Sequence, residues 1–262
     1  MGYLPGVSKA KKKDGTIYYR SSITLQGKHV SLGSYSTEEL ANKAYQEGCD
    51  LVLEHKYQLS DYNNKFTLDF NKFVILMNYR NTNIYFKTPI YLTPDYFYYY
   101  LSPDKFLIFD REDLFFYANH KLQTRGGYFF ICDYGSQYSI LSRYGIKNYA
   151  KKGIDYIFVN HNEYDFRYEN IKIINEYMGV TEIQQNGETL YESTIHIRGN
   201  FIIGRYPNKI TAAIAYNKAI DTLSAKGIHR KYVKNYINEY TSEQYHKEYA
   251  TINMPKHIVE YT

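Results

Sequence analysis

Between residues 155 and 174 the chain concentrates side chains whose types and spacing could do chemistry: Asp155, Asn160, His161, Asn162, Asp165, Arg167, Glu169 and Asn170. Carboxylate oxygens can hold a hard divalent cation, and an imidazole can take a proton from water. Metal-assisted hydrolysis is therefore the chemistry to test first. The segment between Asp155 and Asn160 is Tyr-Ile-Phe-Val, which offers hydrocarbon and one phenol. The plainer reading of Asp155, His161, Asp165 and Glu169 is turn and helix-cap chemistry, with Asp165 near a helix start where the helix dipole favours a carboxylate. We adopt it. His120 and His196 stand apart from other ligand types and are read as surface or structural groups, not metal ligands.

Positioning these groups requires a short strand at 156–159, a polar turn at 160–163 and a helix from Asp165. The wording Val159-Asn160-His161-Asn162, Asp165, Arg167, Glu169-Asn170-Ile171-Lys172 resembles the core of HNH endonucleases of the phage and intron type. The resemblance extends over about 104–175. Residues 106–114 are similar to the lead-in of those nucleases, 127–131 to their next strand, and Leu141-Ser142-Arg143 stands where many have Leu-His-Arg. It implies a ββα core with a metal-binding Asp and a general-base His. Those two positions fall on Ile157 and Phe158, and Asn170 matches the Asn that orients the lost histidine. Asp155 is two strand positions from Ile157, about 6.6 Å away. Magnesium–oxygen bonds are about 2.1 Å, so Asp155 cannot take over without a register slip. The resemblance thus implies an inactive core with no catalytic residues, no metal ligands and no cofactor. The alternative is an active Mg2+-dependent homing or nicking endonuclease with rearranged ligands.

A second set of groups suits a polyanion. Lys9, Lys11, Lys12, Lys13, Arg20 and Lys28 face only Asp14 in the first 35 residues, a net of +5, which equals the charge of the whole chain. In the strand expected at 18–25, Tyr19, Ser21, Ile23 and Leu25 alternate with Tyr18, Arg20, Ser22 and Thr24. Gln26-Gly27 is a hairpin turn, 29–32 the returning strand, and Ser36 with Glu39 a capping box opening a helix. The pattern recurs near the C-terminus. Gly179-Val180 matches Gly6-Val7, Ile203-Gly204-Arg205-Tyr206 matches Leu32-Gly33-Ser34-Tyr35, and Ala212, Ala215 and Tyr216 match Ala41, Ala44 and Tyr45. Gly33 to Tyr45 and Gly204 to Tyr216 both span 12 residues.

Both copies resemble the Apetala/ethylene-response-factor type DNA-binding domain, over about 5–55 and 178–235. They lack its strand tryptophan, a role that falls to Tyr19 and Tyr191. The resemblance implies that the sheet face opposite the helix enters the major groove of double-stranded DNA. By alternation that face offers Arg20, Ser22 and Thr24 in the first copy. In the second it offers Ser193 or its neighbours, with His196, Arg198 and Arg205. Lys9, Lys11, Lys12, Lys13 and Lys28 are expected on phosphates.

The 262 residues, 44% hydrophobic, can bury several small cores. The 33 tyrosines reflect an AT-rich coding sequence, as in a low-GC bacterium or its phage, more than base stacking. Two distant cysteines, Cys49 and Cys132, exclude a zinc ribbon and fit a reduced compartment. No apolar run reaches a membrane span, and the first residues lack a signal-peptide layout. The expected class is α+β: two small domains, each a three-stranded antiparallel sheet plus a helix, flanking a degenerate HNH core. Boundaries are 1–56, 57–177 and 178–238, with a tail at 239–262. The expected function is that of a cytoplasmic, nucleoid-associated transcription regulator derived from a mobile-element nuclease. Its partner is double-stranded DNA, with no membrane, and two readers on one duplex would raise apparent affinity.

Overall fold

A computed structural model describes residues 3–147, 150–230 and 232–262; residues 1, 2, 148, 149 and 231 lie outside it. The protein is α+β and divides into two compact units. One is Met1–Ile140 with Asn160–Asn170, the other Leu141–Val159 with Ile171–Thr262. Among the described residues there are four three-stranded antiparallel meanders and one two-stranded ribbon. No helix among them is long and apolar enough to cross a membrane.

The first unit opens with β1 (Val7–Lys11), β2 (Ile17–Leu25) and β3 (Lys28–Tyr35), followed by α1 (Glu38–Val52). Left-handed φ values at Gln26 and Gly27, 45° and 77°, make the two-residue turn that matches strand twist. The lysine run lies in a strand and the following turn: Lys9 and Lys11 are in β1. The helix is capped by Thr37, whose hydroxyl accepts from Leu40 N at 3.3 Å; Ser36 does not cap it. Ile23, Leu25, Val30 and Leu32 form the buried face of the sheet, and Ala41 and Ala44, with no side-chain bulk, let α1 lie close to it.

That core is completed by α2 (Phe70–Thr82), whose Phe73, Leu76 and Met77 pack with Leu32, Leu51 and Val52. Residue 56, the expected boundary, therefore lies between two parts of one core. The strongly apolar run 73–77 is helical. Asp69 caps it through Asn71 N at 2.9 Å, and because residues 73–77 are buried on every side no amphipathic period marks it. The unit continues with β4 (Ile90–Leu92), β5 (Tyr96–Ser102), β6 (Lys105–Asp110), α3 (Leu114–Asn119), β7 (Leu122–Arg125), β8 (Tyr128–Asp133) and β9 (Ser136–Ser139). Segment 160–170 joins β6 by a parallel bridge at Ile108 and Asp165, with Phe166 stacked on Phe109, centroids 5.6 Å apart.

The second unit holds the ribbon β10 (Tyr156–Phe158) and β11 (Ile171–Ile173). It also holds the meander β12 (Val180–Gln185), β13 (Glu188–His196) and β14 (Asn200–Tyr206), and α4 (Lys209–Ala225). The helix expected from Asp165 is absent: residues 168–170 form one 3-10 turn and 171–173 enter β11. Asp165 spends its carboxylate on Arg167 and Asn160 instead of capping a helix, and Ile171 and Ile173 favour the extended state. Nor is 239–262 a free tail. It forms α5 (Ser242–Thr251) and α6 (Lys256–Val259), and its Ile252 and Ile258 are buried in the core around α4.

The two end repeats share their registers. Val7↔Ser21↔Gly33 corresponds to Val180↔Ser193↔Gly204, and Tyr19↔Tyr35 to Tyr191↔Tyr206. Each third strand carries one extra residue at the same place, so that Leu32 and Gly33, or Ile203 and Gly204, sit against one serine. Thr37 and Asn208 cap the two helices at equivalent positions.

Candidate nucleic-acid interface

Register decides which groups share a face. In the first meander Ser8, Arg20 and Ser34 lie side by side, as do Ser22 with Ser31 and Thr24 with His29. All are on the side away from α1, and all but the half-buried Ser22 are exposed. Tyr18 and Ala10 complete the row. None of these nine positions is acidic. Arg20 Nη2 donates to Tyr18 Oη at 2.7 Å, and its guanidinium carbon stands 5.4 Å from the centre of that ring. Among the described residues no carboxylate pairs with Arg20. The result is a polar, cationic strip that is free to hydrogen-bond and about as wide as three strands.

The expected lysines are distributed differently. Lys9 and Lys11 pair with Tyr19 and Ile17, which puts them on the α1 side of the sheet, exposed at its β1 edge. Lys12 and Lys13 sit in the exposed turn between β1 and β2. Lys28 pairs with Leu25, also on the α1 side, and its ammonium lies 4.4 Å from the centre of the Tyr85 ring. Arg20, Ser22 and Thr24 thus share a face, and the lysines surround it without sharing it. Ser8, His29, Ser31 and Ser34 were missed by sequence reading. Counting back from the two-residue turn at Gln26-Gly27 pairs Thr24 with His29 and would have found the middle ones.

The second meander departs from the first. Ser193 is 0% exposed and faces α4, as Ser21 faces α1, so it is excluded as a contact; its neighbours Glu192 and Thr194 occupy the outer face. Glu192 stands where the first copy has Arg20, and Arg205 where it has Ser34. Arg205 Nε binds Glu192 Oε2 at 2.9 Å and Nη1 binds Gln185 Oε1 at 3.2 Å. His196 is on this face, with Nδ1 2.8 Å from Asn200 Oδ1, and Arg198 is exposed in the hairpin loop. The second face is therefore near neutral, with its central arginine already engaged.

The segment that could have done hydrolysis is locked by its own polar groups. Asn170 is buried. Its Oδ1 accepts from Asn160 N at 2.7 Å and its Nδ2 donates to Asp165 O at 2.8 Å. Asp165 takes Arg167 Nε and Nη2 at 2.9 and 2.7 Å and Asn160 Nδ2 at 2.8 Å. Burial pushes this carboxyl up, but the hydrogen bonds and charge of Arg167, with Asn160, outweigh it and hold it below the ordinary value. Glu169 is exposed and pairs with Arg167, and His161 is exposed at φ 62° in the turn. In the other unit, Asp155 Oδ2 accepts from Lys151 N at 2.6 Å and Oδ1 from Asn175 Nδ2 at 3.4 Å, pinning the open end of the ribbon. Phe158 is buried, and Ile157 pairs with Lys172. A nuclease cation needs open oxygens, and the carboxylates of Asp155 and Asp165 are engaged by amides and a guanidinium. The residues present do not fit it.

Comparison with protein-family models, with curated proteins and with solved structures yields no match.

Proposed function

We propose that this chain is a sequence-specific double-stranded-DNA-binding protein that acts as a transcription regulator. Its end repeats are Apetala/ethylene-response-factor-like readers, and its ribbon is the relic of an HNH endonuclease that has lost its Asp–His pair. The observation that carries this reading is the outer face of β1–β3, where Arg20 is held by Tyr18 among hydroxyls and one imidazole, with no acid. A guanidinium with free donors suits the O6 and N7 acceptors of guanine, and Ser and Thr suit bases or phosphates. The exposed lysines at the β1 edge and in the next turn supply the charge for phosphate contacts beside the inserted face.

The two readers are unequal. The first supplies base contacts, and the second, with Arg205 tied to Glu192, contributes weaker or different contacts. The 160–170 loop keeps its fold through Asn170 and Asp165, so its retention serves structure and not hydrolysis.

The test is selection of bound duplexes from a random pool, followed by titration of the selected site. Enrichment of one motif, with binding weakened about tenfold or more in Arg20→Ala, supports the reading. An unenriched pool, or magnesium-dependent cutting of the selected duplex by purified protein, refutes it.

A further inference from the structure

The meander β7–β9 has two unlike faces. On one, Ile131 is buried and Phe129 meets the rings of Tyr164 and Phe166, with centroids 6.3 and 5.9 Å away. Asp133 belongs to that side, 3.7 Å from His120. The other face carries Tyr128 and Phe130 on β8. Arg125 is directly across from Tyr128, and Gln123 across from Phe130. Tyr128 is 65% exposed, Arg125 and Gln123 are exposed, and the guanidinium carbon of Arg125 stands 5.9 Å from the centre of the Phe130 ring. None of the strand positions on this face is acidic. An exposed ring at Tyr128, a half-buried ring at Phe130, a cation and a side-chain amide thus form one strip.

We propose that this face binds single-stranded nucleic acid, with bases stacked on Tyr128 and Phe130 and Arg125 directed to the phosphates. The rings are two strand positions apart, about 6.8 Å, which suits two successive bases of an extended strand better than one. A duplex keeps its base faces hidden and could meet only the cation. An apolar protein surface would strip water from Arg125 and Gln123 and leave them unpaired, at a cost that disfavours it. A polyanion carrying flat rings satisfies both the charge and the aromatic groups. This site is separate in sequence and in chemistry from the outer face of β1–β3, and it does not depend on that face reading DNA.

The experiment uses the full chain and short fluorescein-labelled oligo(dT) and oligo(rU), followed by anisotropy, with heparin as a polyanion without bases. Micromolar binding of either oligonucleotide is expected. Tyr128→Ala should weaken it about tenfold, as expected for one lost stacking platform, while Tyr128→Phe retains it and Arg20→Ala leaves it unchanged. Preference for oligo(dT) or oligo(rU) tells whether the natural strand is DNA or RNA. The proposal is overturned if neither oligonucleotide binds. It is equally overturned if heparin competes fully and Tyr128→Ala, with an unchanged circular dichroism spectrum, binds as the parent does. Loss of duplex binding in Arg20→Ala with intact oligonucleotide binding would separate this site from the first one.

Discussion

Tyr45 closes over Gly6 so tightly that a Cβ on residue 6 would fall 2.0 Å from the nearest ring carbon, and Tyr216 does the same to Gly179 at 2.3 Å. Both glycines have left-handed φ, 72° and 71°. The glycine that starts each repeat and the tyrosine on its helix are therefore one device, joining the first strand to the helix across the sheet. Gly6→Ala combines a strained backbone with overpacking and should cost at least about 2 kcal/mol. Gly179→Ala should behave alike. Gly27→Ala, with left-handed φ but open space, should cost less. Urea midpoints of the three variants give the order, and equal midpoints would refute the device.

Arg20 and Arg205 occupy neighbouring columns of equivalent sheets but have opposite neighbours, Ser34 for the first and Glu192 for the second. Arg20→Ala is expected to weaken binding of the selected duplex by about tenfold or more, the worth of one arginine–guanine contact. Arg205→Ala should change it by less, since the side chain is already bound to Glu192 and Gln185. Ser193→Ala, buried beneath α4, should leave it unchanged. A titration in which Arg205→Ala is the more damaging change would reverse the assignment of roles.

Much of this was readable from residue order. The repeat was visible in Gly6, Gly33 and Tyr45 and their partners because each is fixed by a steric demand: a left-handed turn, a bulge and a ring over a glycine. Alternation put Arg20, Ser22 and Thr24 on the outer face correctly. It did not place Ser193, whose inner face follows from its match to Ser21 in the repeat and from its alternation with Glu192 and Thr194 along β13. The helix expected from Asp165 failed for another reason. Its carboxylate had a better partner in Arg167, and Ile171–Ile173 found a strand to pair with. The roles of α2, α5 and α6 were hidden because each completes a core whose other half lies far away in sequence.

Lys147 is half-buried with Nζ 3.4 Å from Asn235 Oδ1, and burial pushes it down to about 8 despite the charges of Asp155 and Glu176. A lysine whose folded value lies below its unfolded value of about 10.4 binds its proton more weakly in the fold. The unfolded state then holds more protons from pH 8 upward, so stability gains from this group as pH rises through that window and levels off above it. Lys147→Met should remove that gain and be the more stable form at neutral pH. Urea unfolding of both proteins at pH 7 and pH 10 measures it. A parent-minus-variant difference independent of pH would refute it.

Asp165 has a linkage of the same sign in a much lower pH window. Its folded value is depressed by Arg167 and Asn160, below the roughly 3.9 of an unfolded aspartate. Its contribution is therefore fully present above about pH 4 and is lost as pH falls through the folded value. Asp165→Asn keeps the shape and removes the charge that binds Arg167 Nε and Nη2. It should cost about 2 kcal/mol at neutral pH, the worth of hydrogen bonds to a charged group, and progressively less below pH 4. Asn170→Ala should loosen the same loop without that pH dependence, since Asn170 supplies only neutral bonds to Asn160 N and Asp165 O. Amide hydrogen exchange across 160–170 at neutral and acid pH separates the two. If Asp165→Asn left exchange unchanged at neutral pH, the lock would have to be assigned to other contacts of the loop, such as the bond from Tyr168 N to Asp110.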